Sequence, residues 1–108
     1  MGRWKSRVVS AVLVCGLAPL WVGVVTAAVT STILGNTGDE PFAIVVDSSG
    51  NVYTANWASD NVTKITPSGV SSILGTTGTR PAGITVDSSG NVYTANYGSN
   101  NVTKITPG

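Results

Sequence analysis

Histidine is absent from this chain, and cysteine occurs only once, as Cys15. Histidine is the commonest general base near neutral pH and the commonest metal ligand, so its absence excludes much of ordinary catalytic and metal chemistry. One cysteine allows neither an intrachain disulfide nor a cysteine metal cluster. The sequence also lacks a glycine-rich phosphate loop, a nucleophile elbow and paired carboxylates. These absences argue against an enzyme and favour a binding or scaffold protein without a cofactor.

Charged residues are scarce as well, at 10% of the 108 residues. Three of the six cationic side chains are Arg3, Lys5 and Arg7, at the very start of the chain. The remainder carries three positive and five negative side chains, so it has no basic patch with which to hold phosphates. Nucleic-acid binding is therefore not expected. We expect the partner to be a protein, a peptide or a glycan.

The N-terminus has the three parts of a secretory signal. A positive start precedes an apolar run of about 18 residues, and small residues follow up to Ala27 and Ala28. This pattern predicts a signal helix over residues 1–28, with cleavage after one of these two alanines and a secreted or extracytoplasmic protein. The alternative is an uncleaved anchor that holds the protein at a membrane, because 18 apolar residues are near the lower limit for a span.

The rest of the chain, residues 29–108, is a duplication. Residues 31–68 and 71–108 align with an offset of 40, and about 27 of the 38 aligned positions are identical. We divide the region into repeats at about 29–68 and 69–108. A period near 40 residues is typical of propellers and solenoids.

Each repeat contains four strand candidates, which in the second half read VSSIL, GITVD, NVYTAN and NVTKIT. The upstream counterpart of VSSIL is VTSTIL, at residues 29–34, which we also expect to be a strand. The DSSGN segments between strands predict tight turns, in which glycine adopts positive φ and aspartate accepts backbone hydrogen bonds. The residues predicted to have this structural role in the turns are Asp47, Gly50, Asp87 and Gly90. Four short antiparallel strands per 40 residues predict an all-β fold built of propeller blades.

The pattern P-x-x-I-x-V-D-S-S-G-N-V-Y-T-A-N, followed by N-V-T-K-I-T-P, resembles the NHL repeat. The likeness covers essentially everything after the signal segment, and it extends to the extracellular propeller sensor domains of bacterial serine/threonine kinases. It implies two four-stranded antiparallel NHL-type blades, in a propeller that is partial or completed by oligomerisation. Members of the family often have an acidic residue where this chain has Asn56 and Asn96, which argues against a cation site at these positions.

Two blades are too few to close a propeller, which needs four to eight. Residues 29–108 begin with a fourth-strand segment and stop after a third strand, so the first strand of one copy could complete the last blade of a neighbour. Three copies would then give six blades. The alternative is a truncated fragment of a longer propeller, without an independent function, and the sequence leaves both open.

The differences between the repeats cluster in two links, one between the fourth and first strands and one between the second and third. In a meander these links emerge at the same face, and loops on a rigid scaffold commonly carry binding sites. We therefore expect this variable face to meet a ligand or partner. The candidate ligand-binding residues are Trp57, Tyr97, Asp39, Glu40, Arg80, Asp60 and Asn100. The two aromatic residues could instead pack between adjacent blades.

The acidic members of this set, Asp39, Glu40 and Asp60, offer the oxygen ligands that calcium prefers, although solvated loop charges are the simpler interpretation. A likeness to lactonase-like and lyase-like propellers leaves an enzyme as a further alternative. In those enzymes the metal ligands come from several blades and meet at the central axis, and the lyases add a histidine. Two near-identical blades without histidine fit a binding surface better.

Overall fold

A computed structural model describes residues 28–107 of the chain. The predicted signal segment lies outside the described residues as far as residue 27. Among residues 28–107 there is no helix long and apolar enough to cross a membrane.

The described residues form seven short strands in two antiparallel sheets. The strands are β1 (Pro41–Val46), β2 (Val52–Asn56), β3 (Asn61–Ile65), β4 (Ser71–Thr76), β5 (Pro81–Val86), β6 (Val92–Asn96) and β7 (Asn101–Ile105). The first sheet has the order β1-β2-β3-β4, and the second has the order β5-β6-β7. Each is a simple meander in which consecutive strands are neighbours. The predicted all-β fold of propeller blades is confirmed.

The registers of the two sheets repeat each other. In the first sheet Val46 pairs with Val52 and Ile44 with Thr54, and β5 and β6 reproduce both pairings in the second. A register irregularity follows the first proline of both β1 and β5. The duplicated sequence therefore specifies a duplicated backbone, including its departures from ideal pairing.

The second sheet differs from the expectation of four strands per blade. It has three strands within residues 28–107, and the segment 29–34, which we expected to be a strand, forms none. A strand needs a partner for its backbone N–H and C=O groups, and none of the described residues pairs with this segment. Gly35, which directly follows this segment, nevertheless lies against the first sheet, because a Cβ added at Gly35 would come within 2.9 Å of Cγ2 of Ile65.

The hydrophobic core lies between the two sheets. Tyr53 and Val62 from the first sheet and Val92 from the second are buried and form its centre. The partly buried side chains around them are Val45, Leu74, Ile84, Val86 and Ile105. Because successive side chains of a strand point to opposite faces and the registers place these residues on the same side, one face of each sheet is buried in this core. The two blades therefore pack face to face and stabilise each other.

Candidate binding surface

The two variable links meet at one face of the molecule, because each blade ties them together by the same backbone hydrogen bonds. In the first blade Trp57 N donates to Glu40 O at 2.8 Å, and Ala58 N donates to Asp39 O at 3.2 Å. In the second blade Tyr97 N donates to Arg80 O at 2.9 Å. The link before the first strand and the link after the second strand thus form one surface in each blade.

Asp60 joins the surfaces of the two blades. Its carboxylate Oδ1 accepts a hydrogen bond from Arg80 N at 2.8 Å, and its backbone O accepts one from Thr77 N at 2.9 Å. Both donors belong to the link that leads into the second blade. Asp60 therefore fixes the position of that link, and its contacts in the structure are with the protein's own backbone.

Three aromatic rings form a row on this variable face. The ring centroids of Phe42 and Trp57 lie 4.9 Å apart, and those of Trp57 and Tyr97 lie 5.7 Å apart with the rings nearly parallel, at 25°. The guanidinium carbon of Arg80 lies 5.9 Å from the centroid of the Trp57 ring, within the range of a cation–π contact. Phe42 is 63% exposed and Tyr97 is 69% exposed. We call Phe42, Trp57, Arg80 and Tyr97 the aromatic row.

The aromatic row bears on both interpretations of Trp57 and Tyr97, packing between adjacent blades and contact with a ligand. Trp57 belongs to the first blade and Tyr97 to the second, so their stacking is a contact between adjacent blades. The large exposed fractions of Phe42 and Tyr97 leave both ends of the row open to solvent. The structure therefore brings Trp57, Tyr97 and Arg80 together, and it adds Phe42, which is not among the candidates from the sequence.

Four candidate positions on this face have left-handed backbone conformations. Glu40 and Arg80 have φ angles of 51° and 55°, and Asp60 and Asn100 have φ angles of 54° and 56°. Asp and Asn tolerate this region, but Glu and Arg occupy it at a cost of about 1 kcal/mol or more. Since the two residues of each pair occupy equivalent places in the repeats, the turn itself imposes the conformation, and the side chain is free to vary.

The acidic candidates do not converge. Within residues 28–107 no group of three or more His, Cys, Asp or Glu side chains is close enough to hold a metal ion. Asp39 serves the loop through its backbone, since its N–H donates to Ser59 Oγ at 3.1 Å. The loops next to the aromatic row contain the remaining candidates, Asp39, Glu40, Asp60 and Asn100.

A buried polar network lies directly beneath the loops. Asn56 is fully buried, and its Nδ2 donates to Asn61 Oδ1 at 2.7 Å and to Thr63 Oγ1 at 2.9 Å. Its Oδ1 accepts a hydrogen bond from Thr54 Oγ1 at 3.0 Å. Gly38 N also donates to Thr63 Oγ1, at 3.0 Å, so the network ties the incoming link to the sheet. Buried amides with complete partners rigidify a scaffold, and this one holds the variable face in place.

The second blade repeats this network around Asn96 with the same partners, including the contact from Gly78 N to Thr103 Oγ1 at 3.0 Å. A Cβ on Gly78 would lie 2.7 Å from Asn96 Nδ2, so the backbone approaches the amide more closely than any other residue would allow. The sequence does not show that the two asparagines are buried. The only signal is their fixed spacing from a glycine 18 residues earlier in both repeats.

The opposite face carries the two DSSGN turns. Gly50 and Gly90 both have a φ angle of 86°. Asp47 Oδ1 accepts hydrogen bonds from Ser49 N and Asn51 N, each at 2.9 Å, and the Asp87 carboxylate makes the same contacts in the second blade. These residues shape the turns, as their sequence pattern indicates.

The aspartates of these turns are held ionised by their hydrogen bonds. The side chain of Asn51 is the main cause that lowers the pKa of Asp47 to about 2, and the side chain of Asn91 does the same for Asp87. Burial, together with the hydrogen bond that its hydroxyl donates to Asp47, raises the pKa of Tyr53 to about 12. An open cleft of about 400 Å³ lies between the two turns, but the carboxylates beside it are already occupied by these contacts.

Comparison with known families gives a match over the second repeat. The family described as NHL repeat matches residues 79–105, which run from the link before β5 to the end of β7. No curated protein matches the chain. The first repeat shares the strand order, the registers and the buried asparagine network of the matched segment. The likeness to kinase sensor domains stays a prediction. The sequence match shows an NHL repeat at residues 79–105, and the paired blades extend its strand pattern to the first repeat.

Proposed function

We propose that this protein is an exported binding module that presents its variable face to a polypeptide partner. The NHL repeat and the two packed β-sheets suggest a propeller-type binding or scaffold module. The aromatic row is the observation that carries the proposal. Export rests on the tripartite N-terminus, which has the sequence of a secretory signal.

The composition of the row favours a polypeptide. Tryptophan, tyrosine and arginine are the residues most enriched among those that dominate the binding energy of protein interfaces. Here Trp57, Tyr97 and Arg80 lie together, and Phe42 extends the apolar surface. Rigid aromatic side chains supply contact area at a small cost in conformational entropy. The buried network around Asn56 keeps the supporting loops ordered before the partner arrives, which lowers the cost of binding further.

The arrangement of differences between repeats supports the same function. Of the positions that form the row, all three pairs differ between the blades: Phe42 and Ala82, Trp57 and Tyr97, and Glu40 and Arg80. The turns on the opposite face are identical in the two blades. A face that varies on a constant scaffold is the expected location of a binding site.

The test is retention of the full-length chain on an immobilised library of random peptides, with a glycan array measured in parallel. We expect peptide binding that the double variant Trp57→Ala, Tyr97→Ala weakens at least tenfold. The control is Ser49→Ala, Ser89→Ala, which removes two hydroxyls from the opposite face and should bind as the wild type does. The solution mass of each variant is measured first, so that lost binding is not confused with lost assembly.

Two results would contradict the proposal. One is peptide retention that is the same in the aromatic variant and the wild type. The other is binding to glycans alone, which would make the row a sugar-stacking surface.

A further inference from the structure

Each member of the core between the two blades has a counterpart that does not pack against another blade within residues 28–107. The core joins the rear face of the first sheet, formed by Tyr53, Val62, Val45 and Leu74, to the front face of the second sheet, formed by Val92, Ile84, Val86 and Ile105. An offset of 40 residues gives the equivalent rear face of the second sheet and front face of the first. The eight counterparts are Tyr93, Val102, Thr85, Leu34, Val52, Ile44, Val46 and Ile65.

The two sets are nearly identical in sequence, and only the pair Val45 and Thr85 differs. Seven of the eight counterparts are more exposed than the core residues they correspond to, and the exception is Ile65, which is 3% exposed. Val62 is fully buried in the core, whereas its counterpart Val102 is 68% exposed. Ile84 packs against the core, whereas its counterpart Ile44 is 69% exposed. The described residues therefore expose both halves of an interface that the two blades already form with each other.

The strand pairing shows the same relation between an occupied position in one sheet and an unoccupied one in the other. In the first sheet β4 pairs with β3, and Asn61, Val62 and Thr63 lie opposite Thr76, Gly75 and Ile73. In the second sheet β7 has no neighbour on that side among residues 28–107, although NVTKI is its sequence as well as that of β3. The segment STILGN at residues 31–36 corresponds to SSILGT in β4, and it is the segment without a strand partner.

This segment lies on the first blade in the way that β4 lies on the second. A Cβ on Gly75 would lie 3.2 Å from the Ile105 side chain, which shows that β4 of the first blade packs on the second blade. A Cβ on Gly35 would similarly meet the Ile65 side chain at 2.9 Å, so Gly35 packs on the first blade. Because it is held there, segment 31–36 is not placed to pair with β7 of its own chain.

We propose that a second copy of this chain docks head to tail, with its segment 31–36 added to β7 as the fourth strand. The register of β3 and β4 then places Asn36, Gly35 and Ile33 of one copy opposite Asn101, Val102 and Thr103 of the other. The exposed rear face of the second sheet packs on the exposed front face of the neighbour's first sheet. This contact is heterologous, so repetition leads to a ring when the rotation closes. Propellers of four to eight blades correspond to two, three or four copies.

The first test compares two valines that are similarly exposed in the isolated chain. Val102 is 68% exposed and lies in the proposed interface, whereas Val70 is 62% exposed and lies in the turn before β4, outside the core. Light scattering of the full-length chain should give a discrete mass of two to four chains. Val102→Lys should reduce it to the mass of one chain or abolish folding, and Val70→Lys should leave it unchanged. A wild-type monomer that unfolds cooperatively, a polydisperse aggregate, or equal effects of the two lysines would overturn the proposal.

The second test measures the register and does not depend on the stability of a disruptive variant. The pairing of Lys64 with Ser72 predicts that Thr32 of one copy lies opposite Lys104 of the other. Directly opposed residues have Cα atoms about 4.5–5.5 Å apart, which a disulfide can bridge. In a Cys15→Ser background, mixing Thr32→Cys chains with Lys104→Cys chains should give a crosslinked pair under mild oxidation.

The matched control replaces Lys104→Cys by Thr103→Cys, whose side chain points to the opposite face of the strand. Mixing these chains with Thr32→Cys chains should give at least tenfold less crosslinked product. Equal crosslinking in the two mixtures, or none in either, would overturn the proposed register.

Discussion

Removal of the buried amide of Asn56 should destabilise the protein far more than removal of an exposed polar group. The variant Asn56→Ala breaks three hydrogen bonds, to Asn61, Thr63 and Thr54. Two of these partners keep another donor, because Ser59 Oγ donates to Asn61 Oδ1 and Gly38 N donates to Thr63 Oγ1. The Thr54 hydroxyl loses its acceptor in a fully buried setting.

The size of the effect follows from this count. A buried donor without a partner costs about 1–3 kcal/mol, and the cavity left by the amide adds roughly 1 kcal/mol. We expect Asn56→Ala to lower the free energy of unfolding by about 2–4 kcal/mol in total. That is a large fraction of the stability of a domain of this size, about 4–12 kcal/mol.

Urea unfolding followed by circular dichroism, at one fixed protein concentration, measures this quantity. The control is Ser48→Ala, which removes a hydroxyl from an exposed position in the turn between β1 and β2. The control should change the free energy of unfolding by less than about 0.5 kcal/mol. If the two variants unfold at the same urea concentration, the Asn56 network does not stabilise the blade and this reasoning is wrong.

Three further predictions concern the loops. Gly50→Ala should lower the free energy of unfolding by about 1 kcal/mol or more because Gly50 has a φ angle of 86°, whereas Gly83→Ala, where a Cβ meets only another Cβ at 3.8 Å, should be nearly neutral in the same urea titration. Asp47 and Asp87 have pKa values lowered to about 2 from 3.8, so the stability that their ionised forms contribute is present above pH 3.8 and is lost as the pH falls towards 2. Replacing both residues by asparagine should therefore flatten the pH dependence of the urea midpoint in this range. An unchanged pH profile would refute the assignment. Glu40→Gly should be more stable than Glu40→Val by about 1–2 kcal/mol because position 40 is left-handed, and equal melting temperatures would count against that backbone conformation.

The sequence predicts most of the fold because the information is local. The alternation in NVYTAN and the turn residues in DSSGN each specify structure within a few residues, and the duplication repeats it 40 residues later. The meeting of the two variable links at one face also follows from the meander, since alternate links of antiparallel strands lie at the same end. These features do not depend on which blade packs on which.

What the sequence does not predict depends on contacts between blades. Asn56 and Asn96 end the predicted NVYTAN strands, where the sequence does not indicate burial, and Gly38 and Gly78 lie close against their amides. Phe42 joins the aromatic row next to an irregularity in β1 that simple alternation does not predict. Residues 29–34 have the sequence of a strand, yet a strand forms only with a partner, and its identity is not encoded in the segment itself.

Amide hydrogen exchange tests most directly whether β7 gains a fourth strand from another copy. Residues 61–65 and 101–105 have the same sequence, NVTKI, so their intrinsic exchange rates match and β3 serves as an internal control for β7. If a neighbouring copy adds its segment 31–36, the amides of Val102 to Ile105 should be protected to the same degree as those of Val62 to Ile65. If the edge-facing amides of β7 exchange at the rate of an unfolded chain while those of β3 remain protected, the edge is open to water and the assembly does not form.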